Sequence, residues 1–122
     1  MEFRGIVPYL FYDDAEAAIE WYTRAFGFVE IGRWNDDKGR IGNAEMRVGN
    51  TELWLDGGGR PAETKTRTTW IGVWIDDVDA MYAELKAKGI ECQAPVSRSF
   101  SVRMLEVPDG MGYVWGFMRR ES

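Results

Sequence analysis

The sequence contains no histidine and one cysteine, Cys92. Without histidine, the chain lacks the commonest general base and the commonest transition-metal ligand, so acid–base or metal chemistry would depend on carboxylates, Tyr, Lys or one thiol. A single cysteine excludes an internal disulfide. Because no histidine can activate it, we expect the Cys92 thiol to be a small buried apolar group rather than a nucleophile.

Long apolar runs are also missing. No stretch approaches the roughly 18 apolar residues of a membrane-spanning helix, and the N-terminus lacks the hydrophobic segment of a signal peptide. We therefore expect a cytoplasmic protein that has no membrane partner.

The charge balance is acidic. Fifteen basic and twenty acidic residues give a net charge of −5, and the basic residues are scattered rather than clustered. Nucleic-acid binding is therefore not predicted, whereas cationic ligands are favoured. The 14% of aromatic residues, six of them Trp, indicates either rings that line a pocket or an aromatic-rich core.

Two segments of the chain, residues 12–27 and 75–89, repeat one pattern. Each contains a strand end, an acidic helix cap, an amphipathic helix and a terminal glycine. The acidic pairs that begin at Asp13 and Asp76 are 63 residues apart, and Gly27 and Gly89 are 62 apart. The spacing predicts a duplicated module.

Each module is predicted to have the element order β-α-β-β-β, which gives an α+β fold in a single domain over residues 1–122. We expect module 1 at about residues 4–56, a linker at about 57–67 and module 2 at about 68–119. The linker contains Gly57-Gly58-Gly59, but a strand pattern follows it, so a phosphate-binding loop is not predicted. The predicted strands are residues 5–12, which we expect to be buried on both faces, and 28–35, 40–48, 51–55, 68–75, 91–96, 100–107 and 113–118.

Three motifs fit a known family in their order and spacing. Residues 8–12 read Pro-Tyr-Leu-Phe-Tyr, residues 21–28 read Trp-Tyr-x-x-Ala-Phe-Gly-Phe, and residues 107–110 read Val-Pro-Asp-Gly. With the two modules, they make nearly the whole chain resemble the glyoxalase/bleomycin-resistance/extradiol-dioxygenase superfamily, also called the vicinal oxygen chelate superfamily. The resemblance implies sheets curled around a concave cleft, helices outside, and a homodimer.

The resemblance also indicates where a metal would bind. Enzymes of the superfamily hold one at the starts of the first strands, here Val7 and Trp70, and on the fourth strands, where only Glu52 is a possible ligand. Residues 43–45 read Asn-Ala-Glu in place of a family His-Ala-Glu run. We therefore expect no metal, no cofactor and no catalytic residue. The alternative is an atypical lyase, isomerase or dioxygenase with an oxygen-only metal site formed by Glu30, Glu45, Glu52 and Glu106.

Strand alternation from the positions of the lost metal ligands predicts an inward surface lined by rings. Such a surface suits an aromatic small molecule, either neutral or cationic, with Glu45 or Glu52 as counter-charge. This resembles the superfamily's metal-free branch, whose members sequester antibiotics. Two other interpretations stay open: the rings belong to the core or to a dimer interface, or the chain is a regulatory module with a filled cleft. The predicted ligand-binding residues are Tyr9, Phe11, Asn43, Glu45, Arg47, Trp54, Trp70, Trp74, Arg103 and Trp115.

Overall fold

The chain folds into two units. A computed structural model describes residues 1–121, with unit 1 at Met1–Ala62 and unit 2 beginning at Glu63. Each unit contains a four-stranded mixed sheet and one α-helix. The fold class is therefore α+β with the duplicated β-α-β-β-β order that the sequence predicts. Within residues 1–121, no helix has the length and apolar character needed to cross a membrane.

Unit 1 has the strand order β1-β4-β3-β2, in which β1 runs parallel to β4 and the other neighbours are antiparallel. Its helix packs on one face of the sheet against β3 and β2. The elements are β1 (Tyr9–Phe11), α1 (Ala15–Phe26), β2 (Val29–Asn35), β3 (Ile41–Val48) and β4 (Thr51–Asp56).

Helix α1 forms where its end signals predict. The Asp14 side chain accepts a hydrogen bond from the Ala17 amide at 3.0 Å, which satisfies one orphan donor of the first turn. Gly27 ends the helix in the left-handed conformation with φ 73°. The buried stripe includes Tyr22, whose hydroxyl lies 2.7 Å from that of buried Tyr12. This contact joins the helix to the end of β1.

Unit 2 repeats the topology in the order β5-β8-β7-β6, with β5 parallel to β8. Asp77 caps its helix by accepting from the Ala80 amide at 2.9 Å. Val78 and Leu85 are the helix residues buried against the sheet. The elements are β5 (Thr69–Trp74), α2 (Val78–Ala87), β6 (Val96–Arg98), β7 (Val102–Pro108) and β8 (Tyr113–Arg120).

Two strand predictions are wrong. The first strand is only Tyr9–Phe11, and Ile6 is 87% exposed, so residues 5–12 are not a strand buried on both faces. Pro8 has no N–H with which to extend the ladder towards the N-terminus. The strand predicted at residues 91–96 instead spans Val96–Arg98, because Pro95 cannot donate to a ladder at that point.

The connection between the modules is irregular. The predicted linker, residues 57–67, contains one short 3₁₀ turn at Ala62–Thr64. The boundary between the two units falls after Ala62, inside that segment. At its start, a Cβ on Gly57 would overlap the backbone of Ile41, so glycine is required where the chain leaves β4.

Candidate functional site

The open face of the unit 1 sheet, the side away from α1, carries six of the predicted ligand-binding residues. Leu53 and Leu55 of β4 and Met46 of β3 are at most 1% exposed and form the helix side. The alternating residues project the other way. Register places Tyr9 beside Trp54, and Trp54 beside Glu45. The six are Tyr9, Phe11, Asn43, Glu45, Arg47 and Trp54.

A cavity of about 310 Å³ lies on this open face. Two of its walls are indole rings, those of Trp34 on β2 and Trp54 on β4, which are 55% and 38% exposed. The remaining lining residues are Tyr9, Asn43, Ala44 and Glu45. The structure thus brings four of the predicted residues into one cavity, while Phe11 and Arg47 are on the same face outside its lining.

Trp34 is a lining residue that the sequence analysis missed. It pairs with Asn43 across β2 and β3, after a register irregularity between Glu30 and Gly32. The available signal was Gly32, which lies two residues before Trp34 on the same face of β2. A glycine inside a strand can mark a site that a ligand approaches closely.

Hydrogen bonds fix the polar part of the unit 1 cavity. The Tyr9 hydroxyl donates to Asp56 Oδ2 at 2.7 Å and accepts from Asn43 Nδ2 at 2.6 Å. The hydrogen bond to the Asp56 carboxylate, reinforced by desolvation, raises the pKa of Tyr9 above its ordinary value. The Tyr9 ring also meets Trp54 edge-on, with centroids 6.3 Å apart. Tyr9 is therefore held as a neutral phenol in a set orientation.

Two carboxylates of this face differ in whether they have a hydrogen-bond partner. Glu52 Oε1 accepts from Trp54 Nε1 at 2.9 Å, which orients the indole. Glu45 lines the cavity and is partly buried, yet within residues 1–121 its side chain makes no hydrogen bond and no ion pair. A partly desolvated carboxylate without a partner favours a cation beside it.

The open face of the unit 2 sheet carries Trp70 and Trp74, as predicted. Trp70 Nε1 donates to Glu106 Oε2 at 3.0 Å, and the Arg98 Nη2 bonds Glu106 Oε1 at 2.6 Å. The Arg120 guanidinium lies 4.7 Å from the Trp74 ring centroid. Glu106 and Arg98 are further residues of this face that the sequence analysis did not assign to ligand binding.

Arg103 and Trp115 do not lie on the open face, so their predicted inward orientation is corrected. Trp115 pairs with Ile71 rather than with Trp70, and it is 2% exposed on the helix side. Its Nε1 donates to Asp109 Oδ2 at 3.1 Å. The prediction assigned the wrong alternate residues of β7 and β8 to the open face. The sequence does not show which residue of β8 pairs with Trp70, and a register error of one residue reverses the two faces.

Arg103 binds the helix instead of a cavity. Its guanidinium makes two hydrogen bonds to the Asp79 carboxylate of α2, at 2.8 and 2.9 Å. This hydrogen bonding lowers the pKa of Asp79 below its ordinary value and raises that of Arg103. The pair joins α2 to the sheet.

The carboxylates do not fit a divalent-metal site. Glu30 is paired with Arg33, Glu52 with the Trp54 indole, and Glu106 with Arg98. In the part of the chain that the structure describes, no three Cys, Asp or Glu side chains are grouped to hold a metal ion. A tight divalent site needs three or four such donors, so the residues present do not fit a divalent metal ion.

Comparison with known proteins identifies the family. Residues 5–117 match the model of the Glyoxalase/Bleomycin resistance protein/Dioxygenase superfamily, so the chain belongs to this superfamily. An uncharacterised protein of Mycobacterium tuberculosis is 29% identical over 121 residues, covering 91% of this chain and 71% of that protein.

Two solved structures illustrate the shared fold. TioX from Micromonospora sp. ML1 is 26% identical and superposes with a TM-score of 0.79, covering 97% of this chain and 99% of that chain. A bleomycin-binding protein complexed with bleomycin is 19% identical with a TM-score of 0.76, covering 98% of this chain and 100% of that chain. At that identity, the second similarity shows the fold alone.

Proposed function

We propose that this chain is a metal-independent binding protein that holds a flat, cationic aromatic molecule without changing it chemically. The observation that carries the proposal is the unpaired Glu45 carboxylate in a cavity that Trp34 and Trp54 also line. Indole faces attract cations, and a nearby carboxylate adds a counter-charge. The cavity volume of about 310 Å³ is at the lower end of the range for small-molecule sites.

Each lining group has a role in this proposal. The rings of Trp34 and Trp54 bind the ligand by stacking and cation–π contacts, and Glu52 keeps the Trp54 indole in place. The Tyr9 and Asn43 pair, anchored on Asp56, supplies fixed polar atoms at the cavity. Neutral Tyr9 has no role as a base, since its pKa is raised and its proton is bound to Asp56.

The physiological role that we propose is sequestration of a cationic aromatic antibiotic by a cytoplasmic homodimer. Membership of a superfamily whose description includes bleomycin-resistance proteins supports this ligand class. Side chains such as Phe3 and Ile6, 93% and 87% exposed, support association with a second copy that covers them. Light scattering at twice the 14.0 kDa chain mass is the expected result, and a monomer at all concentrations contradicts the dimer.

The binding proposal is tested with two flat three-ring probes of opposite charge. We expect proflavine, a cation, to raise the melting temperature and to quench tryptophan fluorescence, and anthracene-9-carboxylate to do neither. Glu45→Gln keeps the side-chain shape and should weaken proflavine binding by about tenfold, the equivalent of roughly 1.4 kcal/mol. Glu84→Gln, on the exposed face of α2, is the charge-matched control and should have no effect.

Three outcomes overturn the proposal. Equal binding of both probes would show that ligand charge does not determine binding. Unchanged proflavine affinity in Glu45→Gln would show that the Glu45 carboxylate does not contribute to it. If elemental analysis finds one metal ion per chain and the probe is recovered in altered form, the protein is a metal-dependent enzyme and not a binding protein. Recovery of unchanged proflavine from metal-free protein is the expected result.

A further inference from the structure

The two modules differ at their third element. Strand β2 of unit 1 pairs with β3 through six of its seven residues, whereas β6 of unit 2 pairs with β7 only at Val96–Arg98. Continuing the β6–β7 register would place Ala94 opposite Glu106 and Cys92 opposite Pro108. Neither pair forms in the structure. Because Pro95 has no N–H, the chain before β6 leaves the sheet. Within residues 1–121, no strand then pairs with the edge of β7 opposite β8 beyond Met104.

A cavity of about 880 Å³ lies at this position, entirely within unit 2. It reaches from the last turns of α2 along residues 89–94 to the open-face side chains of β7 and β8. Its volume falls within the range of established small-molecule sites. The apolar part of the lining consists of Ile90, Cys92, Val96, Met104, Pro108 and Val114.

Cys92 belongs to the apolar part of this cavity. Burial raises the pKa of its thiol above the ordinary value, so the group is protonated near neutral pH. A protonated thiol packs as a small apolar side chain. Cys92 therefore adds apolar surface to the lining rather than a reactive sulfur.

The lining includes two cationic side chains, which differ in whether a carboxylate neutralises them. Arg98 is neutralised by Glu106 at 2.6 Å. The Lys86 ammonium lies 5.3 Å from the Tyr82 ring centroid, and no carboxylate within residues 1–121 pairs with it. The other lining carboxylate, Glu91, is exposed and does not form a salt bridge with Lys86. Lys86 is thus a cation held by a ring at one end of an apolar cavity.

We propose that this cavity is a second ligand site, which takes a monocarboxylate with an elongated apolar body, such as a fatty acid. The apolar chain lies against Met104, Val114 and Ile90, where its burial provides the main driving force. The carboxylate pairs with Lys86. This charge preference is opposite to that of the unit 1 cavity, so the two sites take different ligands.

The test uses three probes with the same ten-carbon chain, measured by calorimetry below their micelle concentrations: decanoate, decanol and decyltrimethylammonium. Decanoate is expected to bind most tightly and decyltrimethylammonium least. Lys86→Ala should weaken decanoate about three- to fivefold, as expected for a solvent-accessible ion pair, and leave decanol unchanged. Lys38→Ala, which removes a lysine in the β2–β3 turn, is the charge-matched control.

Two further variants separate the cavity from general adsorption. Ala94 is exposed and lines the cavity, so the indole of Ala94→Trp should obstruct it and abolish binding of decanoate and decanol without disturbing the core. Ala83→Trp, an equally large change on the exposed side of α2, should bind both as the wild type does. Glu91→Gln should tighten decanoate binding, because it removes the remaining unpaired negative charge from the lining.

The proposal is overturned if decanoate does not bind, or if Ala94→Trp binds it normally. It is also overturned if the three probes bind alike or if Lys86→Ala weakens decanol as much as decanoate. Unchanged circular dichroism in every variant confirms that the fold is intact. Loss of binding in Ala94→Trp with an unchanged fold therefore reports on the cavity alone.

Discussion

The Tyr9 hydroxyl donates a hydrogen bond of 2.7 Å to Asp56 Oδ2, linking β1 to the end of its parallel neighbour β4. The first strand is only three residues long, so this side-chain bond supplements a short ladder. The same hydroxyl accepts from Asn43 on β3. One phenol thus connects three strands on the open face of unit 1.

We predict that Tyr9→Phe lowers the free energy of unfolding by about 1 kcal/mol at pH 7, the usual net value of such hydrogen bonds. The raised pKa of Tyr9 means that its neutral form is stabilised in the folded state. That contribution is complete below the ordinary tyrosine value of about 10 and is lost as the pH rises through the folded pKa. Urea denaturation at pH 7, 9 and above 10 should show the two proteins converging at high pH.

Tyr82→Phe is the control for this substitution, because within residues 1–121 the Tyr82 ring contacts Lys86 and its hydroxyl makes no hydrogen bond. Its effect at pH 7 should be close to zero. A Tyr9→Phe protein as stable as the wild type at pH 7 would contradict the structural role of the hydroxyl.

Gly116→Ala should disturb the open face of unit 2. A Cβ at Gly116 would overlap the six-membered part of the Trp70 indole, so the ring must move away from Glu106. Trp70 is 44% exposed and has room to move, which limits the cost to roughly 1–2 kcal/mol, at the lower part of the range for overpacking. Urea denaturation measures the cost, and a changed tryptophan emission spectrum reports the movement of the ring.

Gly42→Ala is the matched control for Gly116→Ala. Gly42 is also a strand glycine, and its added Cβ would be 3.5 Å from the nearest atom, the Trp34 carbonyl oxygen, which is an ordinary contact. We expect a change within about 0.5 kcal/mol, as for surface substitutions without a specific mechanism. Equal destabilisation by both alanines would contradict the contact with Trp70.

Asp109→Ala should be among the most destabilising polar substitutions. Asp109 is 7% exposed, and its carboxylate accepts from the Met111 and Tyr113 amides and from Trp115 Nε1. Its removal leaves these donors without their acceptor, at a cost of about 3 kcal/mol or more. Chemical denaturation provides the measurement, with Asp37→Ala in an exposed turn as the control.

Asp109→Asn distinguishes the hydrogen bonds from the volume of the side chain. Its oxygen can still accept from the two backbone amides, but its NH₂ group would then meet the Trp115 N–H, donor against donor. We therefore expect an intermediate loss of stability. A loss equal to that of Asp109→Ala would show that the amide acceptor alone contributes little.

The stability of Asp79→Asn relative to the wild type should depend on pH, because the substitution removes the ion pair that joins α2 to β7. Arg103 lowers the pKa of Asp79, so the pair stabilises the folded state above the ordinary aspartate value of about 3.9. That contribution is lost as the pH falls through the folded pKa. Because Asp79 is largely exposed and the pair is screened by solvent, we expect only a small difference in stability between the two proteins at pH 7.

The measurement for Asp79→Asn is urea denaturation at pH 7 and at pH 3 or below, where the variant and wild type should converge. High salt should also reduce the difference, because the pair is accessible to solvent. A difference that is constant with pH would assign the effect to helix propensity or packing instead of the ion pair.

The elements that the sequence predicted well are those fixed by local interactions. The acidic caps and closing glycines set both helices, since Asp14 and Asp77 bind amides three residues away. The duplication followed from these caps, and the open face of unit 1 followed from alternation on β1, β3 and β4, counted from the positions that the family resemblance indicated. Each depends on neighbours close in sequence or on one strand.

Tertiary structure decided the remainder of the candidate sites. Strand register decides which residue of β8 pairs with Trp70. The predicted register was wrong by one residue, so Arg103 and Trp115 lie on the helix side and not on the open face. The shortening of β6, and the large cavity beside it, depend on how the chain around Pro95 meets β7. Sequence alone therefore determined the modules and their caps, whereas pairing between distant strands decided which side chains meet, because hydrogen-bonded register is a non-local property.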